Sequence, residues 1–192
     1  MSVAQAELPP PVLPRRRQLL FGTAFAAAAC AMFLFAVLGE YLSARAAAGD
    51  AWFSEHTIPL AQPNVILFTL LMSAVTMQWA VYAIARDDRG NAYLALGMTL
   101  MFGIAVIVQT WFLYTQIELG VTQAEGGTFY ALTGGHLAMV IGGLVFIVLV
   151  GLRALGGSYD SAHPDGFSAA ALFWHVTVAL YMAIWLAVYI MK

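Results

Sequence analysis

Five long apolar stretches run through this sequence and leave few folds open to it. A helix needs about 20 mostly apolar residues to cross the hydrocarbon core of a bilayer, and each stretch is long enough to do so. Their expected limits are residues 18–42, 64–85, 92–117, 128–152 and 167–191. Hydrophobic residues make up 62% of the chain and charged residues 9%, whereas soluble domains carry about 25% charged residues. The pattern excludes a water-soluble enzyme and predicts an all-α integral membrane protein, a bundle of five transmembrane helices.

The basic residues predict how this bundle is oriented. With the N-terminus inside the cell, the inner side holds six of the eight Lys and Arg residues: Arg15, Arg16, Arg17, Arg86, Arg89 and Arg153. The outer side then holds only Arg45 and Lys192. The positive-inside rule therefore favours a cytoplasmic N-terminus and a C-terminus outside. Residues 1–17 are expected to form a cytoplasmic tail containing Pro and Arg, and residues 18–192 a single membrane domain.

The charge and the cysteine content exclude several classes of function. A net charge of −2 provides no basic surface for a nucleic acid. The single cysteine, Cys30, cannot form a cysteine-based metal cluster or an internal disulfide. The sequence contains neither an H-E-x-x-H zinc motif nor a C-x-x-C-H haem attachment motif. These features predict a chain that binds no redox cofactor by itself.

Two histidines lie inside predicted spans, where an ionisable side chain is a candidate for function. One hypothesis makes His136 and His175 the two axial ligands of a haem, as in a small cytochrome b-like enzyme. Counting residues from the predicted helix ends, however, places the two side chains at different depths in antiparallel helices. The favoured interpretation is that both are neutral and form hydrogen bonds between helices or to the backbone.

Other polar side chains in the spans are assigned to structure rather than to chemistry. Glu40 is expected at the headgroup level, paired with Arg45, with a proton relay as the alternative. Interhelical hydrogen bonds are expected for a set of uncharged polar residues: Asn64, Gln78, Gln109, Thr110 and Thr133.

The fourth stretch carries small residues at helical spacing, and aromatic residues fall near several predicted helix ends. Ala131, Gly135, Ala138 and Gly142 share one face, which predicts close helix packing there. Most of the aromatic residues near the predicted ends are expected to anchor the helices at the membrane interface: Trp52, Trp111, Tyr130, Trp174 and Tyr189.

The same stretch carries a longer pattern. Residues 127–136 read Gly-Thr-Phe-Tyr-Ala-Leu-Thr-Gly-Gly-His, followed by Val140 and Gly142-Gly143. This resembles the G-S/T-F-F…T-G-x-H-G-x-H-V…G helix of subunit III of the haem–copper terminal oxidases, the group that includes cytochrome c oxidase. Phe173-Trp174-His175 is similar to the family's W-H-F-V-D segment.

Two further pieces occur in the same order as in that family. Residues 32–35, Met-Phe-Leu-Phe, with Tyr41 and Arg45 downstream, resemble M-F-F…Y-F-x-x-R. Pro63-Asn64 is similar to the L-N-T entry to the next helix. Together the pieces identify the chain as a member of the family in its short five-helix form, which is found in many bacteria.

Four departures mark it as a divergent member. Cys30 stands where the family has a glutamate, and Met139 takes the place of the second histidine of H-G-x-H. Val178 replaces the aspartate of W-H-F-V-D, and Phe112 falls where a glutamate is often found. What the family implies about proton uptake therefore does not transfer to this chain.

The resemblance implies a non-catalytic accessory subunit of a respiratory oxidase in a bacterial plasma membrane. Haem and copper are expected in subunits I and II, and this chain is expected to pack on subunit I and bind phospholipid. Alternatives within the superfamily are a subunit III-like protein of a nitric-oxide reductase or of a quinol oxidase. The residues expected to contact lipid or other subunits are His136, His175, Trp174, Glu40, Arg45, Gly135 and Gly142.

Overall fold

The computed structural model describes residues 17–52, 58–117 and 119–191, and this part of the chain is almost entirely helical. Five helices are long and apolar enough to cross a membrane, which confirms the predicted number of spans. They are α1 Gln18–Ala48, α2 Ala61–Ile84, α3 Arg89–Gln116, α4 Ala124–Leu155 and α5 Asp165–Ile184. A 3-10 turn, Gly49–Ala51, follows α1, and a π-helical segment, Trp185–Ile190, continues α5. Residues 1–16 of the predicted tail, and Lys192, lie outside the described residues.

Most helices extend a few residues beyond their apolar stretches, because backbone hydrogen bonding continues into the polar flanks. Asp88 shows how one end is fixed: its carboxylate accepts a hydrogen bond from the backbone N–H of Asn91 and caps the N-terminus of α3. Asp87, one residue earlier, has a φ of 58° and turns the chain sharply between α2 and α3. Asn and Asp tolerate this left-handed conformation better than most residues.

Four helices form a ring, and the first lies outside it. α3 contacts α2 and α4, α5 contacts α2 and α4, and α1 packs against α4 and α5. We call the two ends of the bundle by their loops. The α2–α3 end includes the loop after α4, because Asp87 accepts hydrogen bonds there from the backbone N–H and the hydroxyl of Ser161 at 2.7 and 2.6 Å. The α1–α2 end is the opposite one.

Trp174 of α5 lies at the centre of the ring and is fully buried. Its indole N–H donates a hydrogen bond of 2.9 Å to the hydroxyl of Ser73 on α2. Glycines on the other two ring helices make room for the indole: a Cβ on Gly103 of α3 would lie 3.0 Å from it, and a Cβ on Gly143 of α4 2.9 Å. One side chain thus joins all four helices of the ring.

This position corrects one prediction from the sequence. Trp174 and Tyr189 were expected at the membrane interface, but they are 0% and 1% exposed. Both lie on the α5 face that is turned into the bundle. Trp111, by contrast, is 70% exposed on the outer surface of α3, where a membrane anchor belongs.

The small-residue face of α4 is also placed differently from the prediction. Ala131, Ala138 and Gly142 are exposed, and nothing lies within 4 Å of a Cβ built on Gly142. Only Gly135 packs closely, against Leu34 and Phe33 of α1 at 3.1 Å. The buried face of α4 carries His136, Met139 and Gly143 instead. The stripe was expected to pack against a neighbouring helix, and for three of its four residues that is wrong.

Candidate functional site

The helices bring polar side chains together in the interior near the α1–α2 end. His136 of α4 is 4% exposed, and its Nε2 lies 3.0 Å from the carbonyl oxygen of Thr177 on α5. Because a carbonyl oxygen only accepts, Nε2 carries the hydrogen and donates it. This bond confirms the interpretation of His136 as a polar link between helices.

His175 makes the corresponding bond on another side of α5. Its Nε2 donates to the amide oxygen of Gln78 on α2, at 3.1 Å. The expected difference in depth between the histidines is wrong, because His136 lies level with Thr177, only two residues from His175. They are separated around the helix instead: residues two apart in an α-helix point about 200° apart. One imidazole faces α4 and the other α2, so the two do not enclose one iron.

A small cavity adjoins His136. It is lined by apolar side chains and by the polar groups of Thr110, Thr133, Tyr181 and Tyr189. The hydroxyl of Tyr181 donates to the carbonyl oxygen of Pro63 at 3.2 Å, and the Tyr114 hydroxyl donates to Thr133 Oγ1 at 2.8 Å. The π segment contributes Tyr189: residues eight apart on an α-helix differ by about 80° around the axis, and the looser π turn brings Tyr189 back onto the Tyr181 face.

Most of the uncharged polar residues behave as the sequence predicts. Asn64 accepts from the indole N–H of Trp185 at 2.8 Å, and Gln109 donates to Thr69 at 3.2 Å. Gln78 and Thr133 also bond across helices. Thr110 does not, since its hydroxyl donates to Val106 of its own helix at 2.8 Å. Sequence reasoning missed Tyr181; its spacing of four from Thr177 is the signal that could have found it.

The pair expected between Glu40 and Arg45 is not formed in the described part of the chain. Glu40 is exposed, and the guanidinium of Arg45 donates instead to the carbonyl oxygen of Ala187 at 3.4 Å. That oxygen belongs to the π segment. Arg45 therefore links the end of α1 to the end of α5.

Outside the spans, carboxylates at the α2–α3 end are held by hydrogen bonds. The bonds from the Ser161 hydroxyl and N–H lower the pKa of the Asp87 carboxyl. Bonds from Asn91 lower the pKa of Asp88 in the same way. Among the residues that the structure describes, no group of three or more His, Cys, Asp or Glu is arranged to hold a metal ion.

Two apolar grooves on the outer surface flank α3. The α2–α3 groove has a volume of about 300 Å³ and is lined by Ala61, Gln62, Val65, Val108, Gln109 and Phe112. At its edge the amide oxygen of Gln62 is buried and has no hydrogen-bond partner among the described residues. The α3–α4 groove, of about 220 Å³, is formed where Gly97 and Gly151 leave space between Leu96, Leu100 and Leu152.

Comparison with known proteins identifies the group to which this bundle belongs. The family model of cytochrome c oxidase subunit III matches residues 16–192, which covers all five helices. The chain belongs to the cytochrome c oxidase subunit III family. This confirms the resemblance seen in the motifs around His136 and Trp174.

Individual members agree with the family model. Cytochrome c oxidase subunit 3 of Loxodonta africana is 31% identical over 132 residues, which cover 68% of this chain and 51% of that protein. The proteins of the same name from Paracentrotus lividus and Pelomedusa subrufa are 30% and 29% identical, over 82% of this chain and 62% of each relative. The chain thus spans between half and two thirds of the length of these relatives.

Proposed function

We propose that this chain is a non-catalytic accessory subunit III of a respiratory haem–copper terminal oxidase. The observation that carries the proposal is the match to the subunit III family over residues 16–192. The interior supports it, because the Nε2 atoms of His136 and His175 already bond Thr177 and Gln78. Haem and copper then belong to partner subunits I and II, where oxygen is reduced.

The proposed location is a bacterial plasma membrane, with the N-terminus in the cytoplasm and the C-terminus outside. Four of the five described arginines lie at the α2–α3 end: Arg17, Arg86, Arg89 and Arg153. Only Arg45 lies at the other end. This distribution supports the orientation through the positive-inside rule. Alkaline phosphatase fused after Lys192 should be active, and inactivity there would reverse the orientation.

The exposed small-residue face of α4 is the proposed contact with subunit I. Small residues let two transmembrane helices approach closely, and Ala131, Ala138 and Gly142 are left free of neighbours within the bundle. Phe33 of α1, 57% exposed, lies beside this face at Gly135 and extends it with an apolar side chain.

The two grooves flanking α3 are the proposed phospholipid sites. Both are apolar and open on the surface that faces the hydrocarbon, so acyl chains fit them. In the α2–α3 groove, the unpartnered amide oxygen of Gln62 can accept a hydrogen bond from a headgroup hydroxyl or ammonium. Gly151→Leu should fill the α3–α4 groove and reduce retained lipid, whereas Gly39→Leu, on an open surface of α1, should not.

A redox difference spectrum tests the central part of the proposal. The protein is purified through a tag on this chain, once from native membranes and once after expression alone. We expect haem in the first preparation and a flat reduced-minus-oxidised trace in the second. Stoichiometric haem in the chain expressed alone would make it a cytochrome b-like protein and end the proposal.

A further inference from the structure

The cavity beside His136 has the size and the polar groups of a water site. About 10 Å³ is open within it to the centre of a water molecule, close to the smallest space, about 10–15 Å³, that holds one. Such a site also needs two to four polar partners, roughly, for the water. The residues around this cavity offer three, one from each of three helices.

The first partner is the second nitrogen of His136. Nε2 donates to the Thr177 carbonyl oxygen, so in a neutral imidazole Nδ1 is an acceptor. No described residue donates a hydrogen bond to Nδ1. A buried acceptor left unpaired is destabilising, and the imidazole lines the cavity.

The second and third partners are hydroxyl groups. Tyr189 is 1% exposed, and its hydroxyl bonds no described residue although its ring lines the cavity; a buried tyrosine hydroxyl usually finds a partner. Thr110 gives its hydrogen to Val106, which leaves its oxygen free to accept. The set therefore comprises one donor, Tyr189, and two acceptors, His136 Nδ1 and Thr110 Oγ1.

We propose that this cavity binds one structural water molecule that links α3, α4 and the π segment. The water accepts a hydrogen bond from the Tyr189 hydroxyl and donates its two hydrogens to His136 Nδ1 and Thr110 Oγ1. This arrangement uses every unpaired polar group named above. It also gives the π segment a purpose, because a continued α-helix would turn Tyr189 away from the cavity.

The test is a map of the purified protein, with any chains that accompany it, at a resolution that shows ordered water. We expect one density peak within hydrogen-bond distance of His136 Nδ1, Thr110 Oγ1 and the Tyr189 hydroxyl. In Thr110→Val a methyl group replaces the accepting oxygen, and the peak should be lost. Tyr189→Phe should weaken or remove it.

Tyr93→Phe is the matched control, since the Tyr93 hydroxyl donates to Ala154 at the other end of the bundle; its peak should be unchanged. A wild-type map that shows other buried waters but none here overturns the proposal. A direct bond between the Tyr189 hydroxyl and His136 Nδ1 does so too, as does a peak unaffected by both variants. The wild-type map decides alone if a variant fails to fold.

Discussion

At the scale of single residues, Ser73 has the largest share in holding the centre of the bundle. Its hydroxyl accepts from Trp174 and donates to the carbonyl oxygen of Leu70 at 2.6 Å. Both Ser73 and Trp174 are 0% exposed. Loss of the hydroxyl therefore leaves an indole N–H without a partner where water does not reach.

We expect Ser73→Ala to lower the stability of the bundle by about 1–3 kcal/mol, the cost of an unsatisfied buried donor. The measurement is the thermal unfolding midpoint of the purified protein. Ser43→Ala, at an exposed position on α1, is the control and should leave the midpoint unchanged. Equal midpoints for the two variants would show that the Trp174 bond does not stabilise the ring.

Asp87 gives the α2–α3 end a dependence on pH. The bonds from Ser161 lower the pKa of its carboxyl below the model value of 3.8. A carboxyl whose pKa is lower in the folded state stabilises above its unfolded pKa, and that contribution is lost as pH falls through the folded pKa. The link between the two loops should therefore be present from neutral pH down to about pH 4 and weaken below that.

Hydrogen exchange at the Ser161 amide measures this link. In Asp87→Asn the protection should already be reduced at pH 7, because a neutral amide oxygen is a weaker acceptor than a carboxylate; asparagine tolerates the positive φ. Asp88→Asn, which alters only the cap of α3, should keep the protection of Ser161. Strong protection of Ser161 in Asp87→Asn would contradict the role given to the charge.

At the scale of helices, the separation of α4 and α5 depends on Gly143. A Cβ there would lie 2.9 Å from Trp174 Cε3 and 3.4 Å from Phe173, whereas a Cβ on the adjacent Gly142 would meet nothing within 4 Å. We expect Gly143→Ala to destabilise by about 1–3 kcal/mol through overpacking, and Gly142→Ala to have little effect. Unfolding midpoints of the two variants check this, and a stable Gly143→Ala protein would mean that α4 and α5 can move apart freely.

The sequence was enough to predict the five spans, because hydropathy reports directly on which segments can enter a bilayer. It was not enough to place side chains around each helix. All five helices are apolar on every side, so no polar face tells which side is buried. This is why the stripe containing Gly142 was assigned to the interior and Trp174 to the interface.

The depths of the two histidines show a second limit. α4 begins at Ala124, four residues before the predicted limit, which shifts His136 by about 6 Å along the helix. Relative levels of antiparallel helices also depend on packing, which the apolar limits do not report. The π segment had no visible sequence signal, so the inward position of Tyr189 was not predicted. The bonds of Asn64, Gln78, Gln109 and Thr133 were predictable, because polar groups in a membrane need partners.

At the scale of the whole molecule, the exposed face of α4 should decide whether the chain stays in a larger assembly. Gly142→Leu places a bulky side chain on that face without touching the bundle itself. We expect it to reduce co-purification of a subunit I-like partner while the unfolding midpoint of the chain is kept. Gly39→Leu, on α1, should retain the partner. Full retention in Gly142→Leu would move the contact to another face.

The most direct test of an accessory role is native mass spectrometry of the assembly isolated from membranes under mild detergent. The account predicts a complex in which this chain accompanies larger haem- and copper-containing subunits and carries bound phospholipid. A chain recovered alone, or with its own porphyrin, would contradict it.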